Sequence, residues 1–211
     1  MAKGVKKGGG MVKNDYLHKE YELCFAQLRY YDDRNASTLQ YLFTLTSGVA
    51  TAQFAVYKFL GGPSAGFFGC QTFLSCVVFV ATLLLYLIML QNRLYFVSMA
   101  RQLNSIRGYL MATEASEFRG NQLYTSTDFP ALKPSSVHTF QLLGASLLSS
   151  LFAGSSAYSL NPAMGHEASV GASILTFVTI LTAEVVGGMK YLASSKGRTA
   201  DEVIHGRKHE Q

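Results

Sequence analysis

Acidic side chains are missing from a large part of this sequence: no Asp or Glu occurs between Arg34 and Thr113. The chain also contains no H-E-x-x-H, no P-loop and no C-x-x-C motif. General acid–base and nucleophilic catalysis need titratable groups held at short, defined distances. We therefore expect a protein that is not an enzyme and that carries no cofactor.

Cysteine is scarce as well, and the spacing of Cys24, Cys70 and Cys76 matches no zinc motif. The net charge is +5, but this excess does not indicate a nucleic-acid partner. The basic residues flank apolar segments, which is how membrane proteins place them beside an anionic leaflet. We expect neither a metal ion nor a nucleic acid as a ligand.

What the chain does have is four long apolar segments. They cover residues 41–60, 69–90, 139–158 and 169–189, and each is close to the ~20 residues that a helix needs to cross a bilayer. A soluble helical bundle would show a polar face at every turn, which the second segment lacks, and a membrane β-barrel would alternate in polarity. The sequence predicts an all-α integral membrane protein with four transmembrane helices.

The orientation of these helices follows from the basic residues. The connections at residues 61–68 and 159–168 contain no Lys or Arg, whereas the N-terminal part, the middle connection and the tail contain nearly all of them. Because basic residues are retained on the cytoplasmic side, we expect both termini in the cytoplasm. The expected location is a prokaryotic inner membrane, with the lipid bilayer as the first partner.

The chain divides into five parts. We expect a disordered basic leader, a cytoplasmic stalk with the first two spans, a cytoplasmic linker, the third and fourth spans, and a tail, over residues 1–13, 14–113, 114–137, 138–190 and 191–211. Gly120, Pro130 and Pro134 break the linker. Met11 is an alternative start, and Asn14 or Asp15 is expected to cap the first helix.

The first two helices are predicted to continue beyond the membrane as a paired stalk. Residues recur along helix 1 in the a/d pattern of a coiled-coil seam, and they are Leu17, Tyr21, Cys24, Leu28 and Tyr31. The same spacing runs on through Asn35, Thr38 and Leu42. Two interpretations remain open, namely packing against the chain's own second helix and a seam between subunits.

Polar residues inside the spans are the candidates for an ion pathway. Glu184 lies in the fourth span, where a carboxylate is costly unless it is paired, protonated or in contact with water. It either marks an ion pathway or pairs with Lys190 or His138 near the surface. Gln53 and the hydroxyl face of the third span either line a pore or join helices; the hydroxyls are those of Ser146, Ser149 and Ser150.

Arg93, Arg101 and Arg107 form a basic stretch beyond the second span. Guanidinium groups bind phosphate well, so these residues are candidates for a nucleotide or a lipid headgroup. The alternative is ordinary flanking charge with ion pairs to acidic residues of helix 1. Arg198 and His205 have the R-x6-H spacing of a ribonuclease motif, which a charged tail produces by chance.

The layout resembles two groups of small four-span prokaryotic membrane proteins. It shares a Tyr- and Arg-rich leading helix, seen in Tyr21-Glu22-Leu23 and Arg29-Tyr30-Tyr31-Asp32-Asp33-Arg34, the segment Asn92-Arg93-Leu94-Tyr95-Phe96, and two hairpins. With these features it is similar to RipA-like octameric membrane proteins and to the accessory or effector membrane proteins of antiviral systems. The resemblance implies a homo-oligomer and transfers no site residue.

From these observations we expect a non-enzymatic homo-oligomer that forms or gates a membrane opening, in stress or defence. One alternative is a membrane anchor whose N-terminal helix recruits a cytoplasmic protein partner. Another is a small transporter or lipid-binding protein centred on Glu184.

Overall fold

The computed structural model describes residues 9–113, 125, 130, 131, 133 and 135–194. These residues form four helices, which are α1 (Gly9–Phe59), α2 (Ala65–Thr113), α3 (Val137–Ala163) and α4 (Val170–Ser194). The all-helical prediction is confirmed for this part of the chain. By length and composition α2, α3 and α4 can each cross a membrane, and α1 is not among the helices that meet this criterion.

Several expectations concern residues outside the described ranges. The leader before Gly9, most of the linker and the tail after Ser194 belong to this group. The linker glycine Gly120 and the pair Arg198 and His205 lie there too.

Helix α1 begins earlier than expected and is very long. It starts at Gly9 rather than at Asn14 or Asp15, because no proline or other helix breaker separates residues 11–14 from the rest of the helix. With 51 residues in α1 and 49 in α2, each helix extends about 75 Å at 1.5 Å per residue. That is more than twice the ~30 Å of a bilayer's hydrocarbon core.

A tight turn reverses the chain between α1 and α2. Gly61 and Gly62 have φ angles of +71° and +123°, a backbone conformation that residues with a Cβ atom rarely adopt. The turn places α2 antiparallel to α1, and the two helices pack along their length.

The a/d stripe of α1 packs against α2 of the same chain. Cys24 is buried with Leu103 and Ile106, and Leu17, Tyr21 and Leu28 surround this cluster. The Tyr31 ring stacks on Tyr95 with centroids 5.7 Å apart. The continuation of the stripe, at Asn35, Thr38 and Leu42, is buried as well. Of the two interpretations of the stripe, intramolecular pairing is therefore the one that the structure contains.

The four helices form an open array rather than a closed bundle. α2 packs on α3, α3 packs on α4, and α1 and α4 have no contact with each other among the described residues. Small residues permit the close approach of α3 and α4: a Cβ at Gly154 would lie 3.1 Å from the Ser173 carbonyl oxygen. The Ser173 hydroxyl donates a hydrogen bond to the Gly154 carbonyl at 2.8 Å.

One tyrosine connects α2 directly to α4. The Tyr86 hydroxyl donates a 2.6 Å hydrogen bond to the Glu184 backbone carbonyl. Gly188 leaves the space that this ring needs, because a Cβ at that position would overlap the Tyr86 hydroxyl. The neighbouring Gly187 has open space at the same place.

We predict that Gly188→Ala destabilises the protein whereas Gly187→Ala does not. The alanine at 188 displaces Tyr86, and overpacking of this kind costs about 1–3 kcal/mol. Thermal unfolding in lipid nanodiscs, followed by circular dichroism, measures the difference. The double variant Tyr86→Phe/Gly188→Ala should recover part of the stability, since the obstructing hydroxyl is gone, although its hydrogen bond to the Glu184 carbonyl is lost with it. Equal unfolding temperatures for the two single variants would contradict the contact.

Candidate functional site

Glu184 is held between three helices near the middle of the array. The residue is 7% exposed. Its Oε1 atom accepts a hydrogen bond from the Ser149 hydroxyl of α3, and its Oε2 atom is buried with no hydrogen-bond partner among the described residues. Neither Lys190 nor His138 pairs with the carboxylate; its side-chain neighbours in the described part of the chain are Ser149 and Ser146 of α3. A buried oxygen of this kind is costly to leave without a partner.

Two further serines of α3 complete this polar cluster. The Ser146 hydroxyl is also buried, and although it makes no hydrogen bond of ordinary geometry in the described part of the chain, it lies close enough to interact with the Glu184 carboxylate and the Tyr86 hydroxyl. The Ser150 hydroxyl donates to the Ser146 carbonyl at 2.7 Å, within its own helix. Residues 146, 149, 150 and 153 are one helical turn apart and therefore share a face of α3. Ser146 and Ser149 meet Glu184 or Tyr86 from this face. We call the five residues Tyr86, Ser146, Ser149, Ser150 and Glu184 the acidic cluster.

Gln53 belongs to a different cluster. Its amide donates to the Ser75 hydroxyl at 3.0 Å, which lies 3.2 Å from the Ser155 hydroxyl. Gln71 donates to Ser155 at 3.3 Å. These residues connect α1, α2 and α3, and we call them the amide cluster. Ser75 and Tyr86 are eleven positions apart on α2, so the two clusters lie about 16 Å apart along that helix.

A third polar group lies where the helices leave the apolar segments. The Asn92 amide donates to the Asn35 side-chain oxygen at 3.2 Å, and Asn35 lies 3.4 Å from the His138 ring. His138 also meets Asp32 at 3.4 Å. This junction ties α1, α2 and α3 together. The sequence places Asn35 on the stripe but does not indicate Asn92 as its partner, because a polar residue at a helix boundary carries no information about what it contacts.

The three arginines do not form one patch. The buried Arg93 donates from Nε to the Ala131 carbonyl at 2.9 Å, and its guanidinium carbon lies 5.4 Å from the centre of the Phe96 ring. Arg107 instead reaches α1, where it donates to the Tyr21 hydroxyl at 3.1 Å. Arg101, which lies between them in the sequence, is half-buried. Fourteen positions on α2 separate Arg93 from Arg107, which is about 21 Å. Their spacing along α2 therefore does not favour the binding of one phosphate group by all three arginines.

The thiol of Cys24 is a packing group. Burial, with a smaller effect of the Glu20 carboxylate, raises the pKa of this thiol above its ordinary value. It therefore stays protonated and weakly reactive at neutral pH. No group of three His, Cys, Asp or Glu side chains within the described ranges is arranged to hold a metal ion.

One short sequence match has a structural explanation. Residues 62–66 read Gly-Pro-Ser-Ala-Gly, which fits the G-x-S-x-G pattern of a serine-hydrolase elbow. That elbow needs a strand before the serine, whereas α1 precedes it here. The Ser64 hydroxyl accepts a hydrogen bond from the Phe67 backbone N–H at 3.2 Å, so this serine caps α2.

Comparison with known proteins gives no functional assignment for this chain. No protein-family model, no curated protein and no solved structure matches this chain. Function is accordingly inferred from the three polar groups and from the surfaces around them.

We predict that Ser149→Ala is more harmful than Ser150→Ala. Ser149 supplies the hydrogen bond of the buried carboxylate, and its loss costs about 1–3 kcal/mol. Ser150 bonds only its own helix backbone, so its replacement is nearly neutral. Thermal unfolding in nanodiscs checks both. In a double-mutant cycle, Ser149→Ala combined with Glu184→Gln should cost less than the sum of the two. Strict additivity would show that the pair does not interact.

Proposed function

We propose that this chain is a non-enzymatic, four-span protein of a prokaryotic inner membrane that self-associates and lets a small cation cross the bilayer. Both termini are proposed to lie in the cytoplasm, in keeping with the distribution of basic residues. The observation that carries the proposal is the series of buried polar groups along α2 and α3, with the unpartnered Glu184 oxygen within it.

The fourth span in this proposal is the second half of α1. The hydroxyl groups of its polar residues are hydrogen-bonded within the helix. Thr44, Ser47 and Thr51 each donate to a backbone carbonyl one turn back, at 2.9, 2.7 and 2.9 Å. Polar groups satisfied within their own helix are tolerated in lipid. Large apolar side chains of the same segment, such as Phe43 and Phe54, are exposed, as a lipid-facing surface requires.

The cation pathway in this proposal runs inside each protomer. The amide cluster, the acidic cluster and the Asn35–Asn92–His138 junction follow one another along α2. Intramembrane polar groups are expensive and commonly mark ion routes. Packing explains a single serine, whereas a buried carboxylate between apolar helices is costly, and one oxygen of Glu184 makes no hydrogen bond among the described residues. A cation passing Glu184 would supply the missing partner.

Self-association is supported by a second stripe on the stalk. Tyr16, Leu23 and Tyr30 recur every seven residues on the face of α1 away from α2, and they are 65, 52 and 58% exposed. A seven-residue apolar repeat is typical of helix pairing. Because the stalk is proposed to lie in water, covering this stripe with a second copy is favourable.

A second candidate function rests on the same stripe. If a different cytoplasmic protein covers Tyr16, Leu23 and Tyr30, the chain is a membrane anchor that recruits that partner. The oligomeric state of the purified chain separates the two, since an anchor stays a single protomer without its partner.

We predict that Glu184→Gln reduces cation flux into proteoliposomes to the rate of protein-free liposomes. The amide keeps the size of the side chain and removes the charge that binds the cation. Glu167→Gln, in the exposed connection between α3 and α4, is the matched control and should conduct like the wild type. Wild-type flux no faster than that of empty liposomes, or an unaffected Glu184→Gln variant, would refute the pathway.

We predict that Leu23→Asp converts the oligomer into protomers, as measured by mass photometry in nanodiscs. Burying the new carboxylate in a stalk–stalk contact is costly. Phe25→Asp is the control: Phe25 is exposed as well, but it lies about 200° around the helix from Leu23 at 3.6 residues per turn. An unchanged mass for Leu23→Asp, or equal dispersal by Phe25→Asp, would exclude this stripe as the seam.

A further inference from the structure

The exposed stripe of the stalk continues into the membrane-spanning half of α1 without a change of spacing. Tyr16, Leu23 and Tyr30 follow one another at seven-residue steps. The next residues at this spacing are Ser37, Thr44 and Thr51, and all three are exposed. A straight helix drifts by only about 20° per seven residues. One line along the helix surface therefore runs from the stalk through most of the apolar segment.

Inside the apolar segment, this outward face of α1 consists of small and hydroxylated residues. Thr44 and Thr51 lie on the line itself. The other exposed residues between positions 45 and 57 that lie within about 60° of it are Ser47, Gly48 and Ala55. The aromatic rings of Phe43 and Phe54 belong to positions about 80–100° to one side. Small polar residues lower the hydropathy of a segment, and α1 is the one of the four described helices that does not meet the length and composition criterion for a span.

Within the described part of the chain, no other helix covers this face. α1 packs on α2 and touches α3, and it has no contact with α4. A Cβ at Gly48 would meet no atom within 4 Å. Small residues four positions apart let a neighbouring helix approach closely in lipid. The face has two such pairs, Thr44 with Gly48 and Thr51 with Ala55. Its composition is therefore that of a helix–helix contact with another molecule.

Two charged residues indicate which molecule that is. Asp33 and Arg34 lie where the stalk meets the apolar segment, and neither forms an ion pair within the described residues. Consecutive residues are 100° apart on a helix, so these two side chains flank the stripe on opposite sides. Copies of one chain insert with the same orientation, and in a parallel helix pair opposite flanks meet. Asp33 of one copy then lies beside Arg34 of the second copy, and the reciprocal contact forms with it.

We propose that the outward face of α1 in the membrane, at Thr44, Gly48 and Thr51, packs against the same face of a second copy. The contact between two chains then runs unbroken from the stalk into the bilayer. This inference rests on the self-association in the proposed function and deepens it, because it assigns the transmembrane half of the contact. It also places α1 at the centre of the assembly, with the polar clusters of α2 and α3 behind it in each protomer.

Disulfide cross-linking of single cysteines in proteoliposomes tests the contact. The full-length protein carries Cys70→Ala and Cys76→Ala, and the buried Cys24 stays in place. Thr44→Cys puts a thiol on the proposed contact. Phe43→Cys is the matched control, because it lies at the same depth but 100° around the helix. Copper phenanthroline in air oxidises two thiols to a disulfide when their Cα atoms are within about 7 Å. Thr44→Cys should link most chains into dimers and Phe43→Cys few, and equal linking would overturn the proposal.

The same variant distinguishes a second copy from water and from lipid. A thiol at position 44 that lines an aqueous opening reacts quickly with a charged, water-soluble methanethiosulfonate reagent and forms no disulfide. A thiol that faces lipid does neither. Either result for Thr44→Cys would overturn the proposal, whereas protection from the reagent together with linking on oxidation supports it.

A pair of glycine variants tests the close approach of the two backbones. Gly48 and Gly187 both have open space at the Cβ position within the protomer, so leucine at either site creates no backbone clash inside one chain. Gly48→Leu should lower the fraction of oligomer measured by mass photometry in nanodiscs, because the added side chain separates the two helices. Gly187→Leu, on α4, should keep the wild-type fraction. An unchanged fraction for Gly48→Leu, or an equal loss in both variants, would overturn the assignment.

Leu23→Cys, in the same background, separates this outcome from that of the proposed function. Linking at position 23 without linking at position 44 would refute the transmembrane contact and spare self-association through the stalk. Linking at position 44 alone would support the transmembrane contact and contradict the stalk stripe. Linking at neither position, with the mass of a single protomer for the wild type, would refute self-association itself and the contact with it.

Discussion

A carboxylate buried among apolar helices is the constraint on which the rest of this structure depends. The apolar side chains around it offer Glu184 no hydrogen bond, so another helix has to supply one, and Ser149 of α3 does so. That contact requires α3 and α4 to approach closely, which the small residues at Gly154 and Ser173 allow. It also requires α2 to close the remaining side, which Tyr86 does through the Glu184 backbone.

The long α1–α2 pair gives this cluster a rigid support. A strict seven-residue spacing along α1 keeps one stripe on α2, from Leu17 in the stalk to Leu42 at the start of the apolar segment. The same spacing leaves Tyr16, Leu23 and Tyr30 on another face. One periodicity therefore accounts for the intramolecular pairing and for the surface on which a second copy is proposed to bind.

Sequence alone predicted the helices and the stripe, because periodicity and length are local properties. It also singled out Glu184 and the serines of α3, since polar groups in apolar segments are rare. It did not predict that Glu184 meets Ser149 whereas Gln53 meets Ser75, because helix rotation and vertical register depend on packing between distant segments. The Asn35–Asn92 pair escaped notice for the same reason. The Gly188 contact was equally hidden, as a small residue in a span signals close approach without naming the neighbour.

Tyr86 makes the acidic cluster a joint of three helices. Its hydroxyl donates to the Glu184 backbone carbonyl of α4, and the Ser146 hydroxyl of α3 lies close enough to interact with both Tyr86 and the Glu184 carboxylate. Removing one of these partners leaves a buried carboxylate with fewer hydrogen-bond donors, which is costly. A core selected for stability alone would replace the whole cluster with apolar side chains of similar volume. The presence of a carboxylate there, with its supporting hydroxyls, fits the proposed binding of a cation at Glu184.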